Sequence, residues 1–218
     1  FMIIKLKRNE RDMILKHYCW IFKKVLTPRF CNDLIKIGNK QKDYIGWTGT
    51  YNKNMSEKNL KDLKKTRDSN VTWMEGSWIY KEIHPYIHRA NVNAGWNFDW
   101  DWSEPCQFTK YNLNQHYDWH KDGWTKPYNA PNDLTRHNKI RKLSVTVSLS
   151  NPKDYEGGEL ELNNNDMETK NKNKFIKFNN VPKGSVIVFP SFVEHRVKPV
   201  TRGKRYSLVI WGLGSSFR

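Results

Sequence analysis

The sequence predicts a mainly β protein, a sandwich or barrel, whose helices are confined to its first ninety residues. Two observations carry this. Early in the chain apolar residues recur at helical spacing, as with Ile79, Ile83, Tyr86 and Ile87. Beyond about residue 95, short runs rich in β-branched and aromatic residues alternate with turn residues. The segment KLSVTVSLS is the clearest of these, because Leu143, Val145, Val147 and Leu149 alternate with polar residues and so share one face of a strand.

Taken in order, a short strand is expected from Trp20 to Val25, then a turn at Thr27 and Pro28. Thr27 can cap the helix that follows, with Pro28 at its first position and Leu34 and Ile35 within it. A charged pattern from Met55 to Thr66 predicts an exposed helix, and Trp78 to Ala90 predicts a second one that packs. The first ninety residues are thus expected to be mostly helical. Strands are expected over 106–112, 115–120, 141–149, 159–162, 175–178, 185–189, 194–200 and 205–212. The 218 residues suit a single domain, with helical support over about 1–95 and a β core over about 96–218.

Composition narrows the function. Apolar residues make up 37%, but ten Trp, ten Tyr and ten Phe supply large buried area per side chain and offset the low aliphatic content. The formal net charge of +16 draws in anionic partners. Its lysines fall in stretches such as KNLKDLKKTR and ETKNKNKFIKFNN, which read as solvated faces, so the pattern argues against a nucleic-acid groove. Cys19, Cys31 and Cys106 are odd in number and form no Cys-x-x-Cys pair, which argues against a disulfide framework or a thiolate zinc site. No apolar run approaches a membrane span, and FMIIKLKRNE lacks a signal peptide's apolar core. The expectation is a cytoplasmic protein with no membrane partner. The Lys, Asn and Ile richness suggests an AT-rich genome, as in a marine bacterium or a phage-infected host.

The stretch YDWHKDGW carries the chemistry. In an extended segment residues i and i+2 face one way, so His120 and Asp122 can converge on one point. Seven His and twelve Asp would give about 0.4 such pairs by chance, so a third ligand is needed. His195 supplies it. It opens a strand 75 positions later, which an antiparallel barrel can bring back beside the first two. Two histidines and one carboxylate form a facial triad that suits non-haem Fe(II). Arg205 lies on an apolar strand running back into the barrel, where a guanidinium needs an anion and its planar fork suits a carboxylate. Ser207 faces the same way, and Tyr111 offers a hydroxyl from a neighbouring strand. Tyr117, Trp124 and Trp211 are candidates for shaping a substrate pocket, though aromatic residues more often serve as core. His17, His84, His88, His116 and His137 read as surface or satisfied histidines. Glu194 and Arg196 flank His195 and, facing away, can pair with each other, while Lys121 reads as solvent-facing.

The set His120-Lys121-Asp122, His195 and Arg205-Tyr206-Ser207 resembles the Fe(II)- and 2-oxoglutarate-dependent dioxygenases of the prolyl 4-hydroxylase-like branch. WIFKKVLTPRFCNDLI, QFTKYNLNQHYDWHKD, YEGGELEL and FPSFVEHRVKPVTRGKRYSLVIW extend that resemblance over most of the chain, and RDSNVTWM and ANVNAGWNFDW bring it nearest the bacterial and phage PKHD-type hydroxylases. The resemblance implies a double-stranded β-helix (jelly roll, cupin-like) with helices on one side. It implies iron held by His120, Asp122 and His195, and 2-oxoglutarate clamped by Arg205 with Tyr111 and Ser207. O2 is then the co-oxidant, ascorbate a companion reductant, and a peptidyl residue, proline first, the site of hydroxylation.

Two alternatives compete. AlkB-like nucleic-acid demethylases carry an Arg-x5-Arg pair well after the distal histidine, whereas Arg196 and Arg202 have that spacing but begin immediately after His195. A non-catalytic jelly-roll binding module has no reason to keep a metal triad together with an internal arginine.

Overall fold

The computed structural model of the protein describes residues 17–46, 56–123, 126–164 and 175–217. It opens with β1 (Trp20–Phe22), α1 (Pro28–Lys40) and β2 (Tyr44–Ile45), followed by α2 (Glu57–Thr66), β3 (Arg67–Asp68), β4 (Asn70–Met74) and α3 (Ser77–Asn93). Strands then dominate: β5 (Trp102–Ser103), β6 (Cys106–Tyr111), β7 (His116–His120), β8 (Lys139–Ser148), β9 (Tyr155–Gly157) and β10 (Leu160–Asn163). The chain closes with β11 (Phe175–Phe178), β12 (Val186–Pro190), β13 (His195–Val197), β14 (Val200–Gly203) and β15 (Arg205–Ser215).

The helices form where their caps and apolar faces allow. Thr27 accepts the Phe30 N–H at 3.1 Å, Pro28 begins α1 where no N–H is needed, and Phe30, Cys31 and Leu34 are buried. Ser56 caps α2 in the same way through Asn59. In α3 the buried residues Ile79, Ile83, Ile87 and Ala90 recur at spacings of three and four, the stripe expected of a helix lying on a sheet.

Among the described residues, eight strands form a major sheet in the order β1-β12-β8-β15-β6-β4-β2, with β5 paired to β15, and five form a minor sheet in the order β11-β10-β13-β7-β3. Every pairing is antiparallel, as in β8 and β15, where Val147 faces Leu208 and Val145 faces Ile210. One core fills the space between α1, α3 and the outer face of the major sheet, around Leu34, Ile83, Val145, Val188 and Leu208. A second, around Leu160, Leu162, Ile187, Phe189 and Val197, lies between the two sheets. This is the jelly roll, with helices packed on one face. No helix among the described residues is long and apolar enough to cross a membrane.

Three expectations change. The first ninety residues are less helical than expected, since β3 joins the minor sheet and β4 the major one. Their apolar pattern is short, and sheet pairing, with Thr72 opposite Phe108 and Met74 opposite Cys106, decides their conformation. The strand expected over 194–200 is two strands, because Pro199 lacks the N–H that a ladder requires. Beyond it β14 leaves the minor sheet and pairs with β9. Finally, the extended run through His120 stops there, and Asp122 lies in the turn that follows β7.

Candidate active site

The three ligand candidates reach one point from two strands and a turn. His120 ends β7 and His195 opens β13, and the two residues are direct cross-strand partners. Asp122 is held by the backbone instead of by strand alternation, since its N–H and that of Gly123 both donate to the Ser191 carbonyl, at 3.0 and 2.8 Å. Its Oδ1 lies 3.8 Å from His120 Nε2 and its Oδ2 3.4 Å from His195 Nε2. One ligand atom from each residue lies within 4.8 Å of the others, a spacing that fits a single ion.

Hydrogen bonds set the protonation of the rings. His120 Nδ1 lies 2.7 Å from the Asp118 carbonyl and His195 Nδ1 lies 3.0 Å from the Val193 carbonyl. A carbonyl can only accept, so both Nδ1 atoms carry a proton, which leaves Nε2 of each ring, on the side of Asp122, as the atom able to hold an ion. Burial, and then the neighbouring His195, push His120 down to about 3, which keeps it neutral as a ligand must be. Burial alone would raise Asp122, but His195, His120 and Arg141 together outweigh it and hold the carboxyl at about 2. Two neutral imidazole nitrogens and one carboxylate are a donor set that fits non-haem Fe(II).

A cavity of about 720 Å³ opens over these residues, lined also by Arg205, Ser207, Tyr111, Tyr117 and Trp211. Arg205 is 6% exposed, and its Nη1 donates to Ser207 Oγ at 3.3 Å. Its guanidinium lies 5.4 Å from the ring of Tyr111, its direct partner across the sheet. Among the described residues no carboxylate pairs with it, so a buried cation faces the cavity ready for an anion. Trp124 lies outside the described residues.

A β-bulge explains the place of Tyr117. Between the pairs His195 with His120 and Val197 with Tyr117, β7 carries one residue more than β13. Tyr117 and His120, three apart, therefore share a face and their rings stack at 3.4 Å between centroids. Strict alternation would have turned Tyr117 away. The remaining histidines stay off the site: His116 meets the Lys65 carbonyl, His84 meets Ser103, and His88 packs on Trp100. Glu194 and Arg196 do not pair with each other. Arg196 binds Glu161 and lies over Trp119, while Glu194 accepts from Asn163. Lys121 is exposed, at the cavity's edge.

Several lining residues escaped the sequence reading, among them Arg67, Trp73 and Arg141. Arg67 lies 4.4 Å from the Tyr117 ring, Trp73 lies beside Trp211, and Arg141 lies 3.8 Å from the Trp211 ring while pairing with the buried Glu104. For Arg67 and Trp73 a signal existed, because the odd positions of RDSNVTW share a face of two short strands. For Arg141 none did. A bulge at Lys142, opposite the step from Gly212 to Leu213, reverses the parity that the apolar run of β8 establishes.

Residues 106–212 match the model of the 2OG-Fe(II) oxygenase superfamily, the stretch that holds the metal candidates and Arg205. The fold and the His-Asp-His set agree with that match, which covers just under half of the chain. The chain is also similar to PKHD-type hydroxylases. That of Pseudoalteromonas atlantica is 39% identical over 108 residues, 49% of this chain and 42% of its own. A Synechococcus relative is 42% identical over 79 residues, 36% of this chain and 32% of its own. The matched stretches span less than half the length of these relatives. Among solved structures, the viral collagen prolyl hydroxylase of Paramecium bursaria Chlorella virus-1 superposes with TM-score 0.60 at 19% identity, over 91% of this chain and 97% of that one. A Pseudomonas putida prolyl-4-hydroxylase gives 0.59 at 19%, over 90% and 92%. At such identities they share the fold.

Proposed function

We propose that the protein is an Fe(II)- and 2-oxoglutarate-dependent hydroxylase acting on a peptidyl residue, with proline the first candidate. The observation that carries this is the meeting, in one cavity, of a buried His-Asp-His set with an internal arginine that no carboxylate of the described chain answers. In this reading His120, Asp122 and His195 hold the iron. Bound Fe(II) supplies the redox chemistry, coupling oxidative decarboxylation of 2-oxoglutarate by O2, which gives succinate and carbon dioxide, to hydroxylation of a substrate C–H bond.

The chain's own residues do the rest. Arg205 binds the distal carboxylate of 2-oxoglutarate, and its bond to Ser207 holds the guanidinium fork in place. The Tyr111 hydroxyl, whose pKa burial raises, stays protonated and donates to the same carboxylate. Tyr117 and Trp211 wall the cavity, exclude water and receive the substrate residue. The pairing of Arg141 with Glu104 lets a guanidinium brace Trp211 while its charge is answered.

The similarity to PKHD-type hydroxylases and to prolyl hydroxylases supports a peptidyl substrate. One structural neighbour is a Trichoplax adhaerens prolyl hydroxylase in complex with a peptide fragment of a hypoxia inducible factor oxygen degradation domain. An AlkB-like demethylase fits less well, since Arg196 binds Glu161 and Arg202 binds Glu156, and neither lines the cavity. Anaerobic addition of Fe(II) and 2-oxoglutarate should produce a weak visible charge-transfer band. Admitting O2 with proline-containing peptides should then release succinate in amounts that rise with peptide. A folded protein that gives no band would favour the non-catalytic binding module.

A further inference from the structure

Asp122 is the most constrained of the three metal candidates, and the constraint comes from two serines. Ser144 Oγ lies 2.8 Å from Asp122 Oδ2, and Ser191 Oγ lies 2.9 Å from Ser144 Oγ. Both serines are fully buried, so no solvent competes for these bonds. A carboxylate only accepts, so Ser144 gives its single hydroxyl proton to Asp122. Ser191 must then donate to Ser144. The order Ser191 to Ser144 to Asp122 is fixed by chemistry.

Ser191 grips the same residue from a second direction, since its carbonyl accepts the N–H groups of Asp122 and Gly123. It is itself anchored to β8, where its N–H donates to the Lys142 carbonyl at 2.9 Å. The approach is close: a Cβ on Gly123 would lie 3.2 Å from the Ser191 carbonyl carbon and 3.1 Å from the Arg141 oxygen. Backbone and side chain of Asp122 are thus both registered against the major sheet, while His120 and His195 belong to the minor one.

We propose that Ser144 and Ser191 are positioning residues for the metal carboxylate. With Oδ2 engaged by Ser144, Asp122 is restrained to bind the ion through one oxygen. Held so, the carboxylate would crowd a bound ion less and leave room beside it for 2-oxoglutarate. The inference rests on the proposed iron site and adds to it the residues that set its geometry.

The test uses the whole protein with Co(II), whose visible spectrum reports coordination number, and Fe(II) with 2-oxoglutarate under anaerobic conditions. Ser144→Ala should weaken Co(II) and Fe(II) binding about 10- to 100-fold, the usual effect of removing a partner of a metal ligand. It should also shift the Co(II) spectrum towards higher coordination. Ser144→Thr, which keeps the hydroxyl, should restore both, and Ser191→Ala should cause a smaller change in the same direction. Circular dichroism and melting of the metal-free variants report whether they fold. Wild-type affinity and spectrum in both alanine variants would overturn the inference while leaving the iron site intact, as would equal impairment of Ser144→Ala and Ser144→Thr. A wild-type protein that binds neither metal would remove the iron site and this inference together.

Discussion

At Asp122, loss of the carboxylate leaves two neutral imidazoles that face no charge of opposite sign to the ion. Asp122→Ala should abolish the charge-transfer band and Fe(II)-dependent succinate release, measured anaerobically and by turnover respectively. Arg205→Ala should act differently. It removes the partner of the distal carboxylate but none of the metal candidates, so the apparent KM for 2-oxoglutarate should rise about 100-fold, with Fe(II) affinity near wild type. Both residues stood out in the sequence as site candidates because their chemistry is costly anywhere else: an arginine in an apolar strand and a His-x-Asp pair with a returning histidine each demand a partner. Arg67 left a signal in the alternation of RDSNVTW that the sequence reading did not use, and Arg141 left none. Their aim depends on strand boundaries and a bulge, which only cross-strand pairing decides.

Among the elements, the start of α1 was readable to the residue because Thr27 and Pro28 give a helix start with a local mechanism. Thr27→Ala removes the bond to the Phe30 N–H and should cost about 1 kcal/mol, read as a lower denaturation midpoint with an unchanged slope. The turn before β10 shows how an element serves the site. Gly158 has φ of +63°, and a Cβ there would sit 2.9 Å from Arg205 Cδ and 3.0 Å from Val200 Cγ2. Gly158→Ala should therefore displace the Arg205 side chain and raise the KM for 2-oxoglutarate severalfold, in kinetics where Fe(II) affinity stays unchanged. The segment YEGGELEL was quoted for its resemblance, but this steric role needs the φ value. The short strands β2, β3, β4, β5 and β9 were missed because two to five residues carry too little periodicity to separate strand from loop.

Over the whole molecule, the order of layers was visible in the change from helical to alternating pattern, while the division of functional residues between the sheets was not. His120 and His195 belong to the minor sheet, whereas Arg205 and Tyr111 belong to the major one. Asp122 hangs between them, beside β7 in sequence and bound to Ser144 of β8. The major sheet is covered by helices on one face and by the second core on the other, so β8 and β15 should hold the slowest-exchanging backbone. Metal and cosubstrate, when both are bound, would add a tie between two layers that apolar packing and the hydrogen bonds of Asp122 already join. Amide exchange should reveal this: loading with Fe(II) and 2-oxoglutarate without oxygen should slow exchange in β7 and β13 at least tenfold and leave β8 nearly unchanged. The filled site then acts as a rivet through the sandwich, and emptying it frees the thinner sheet to breathe.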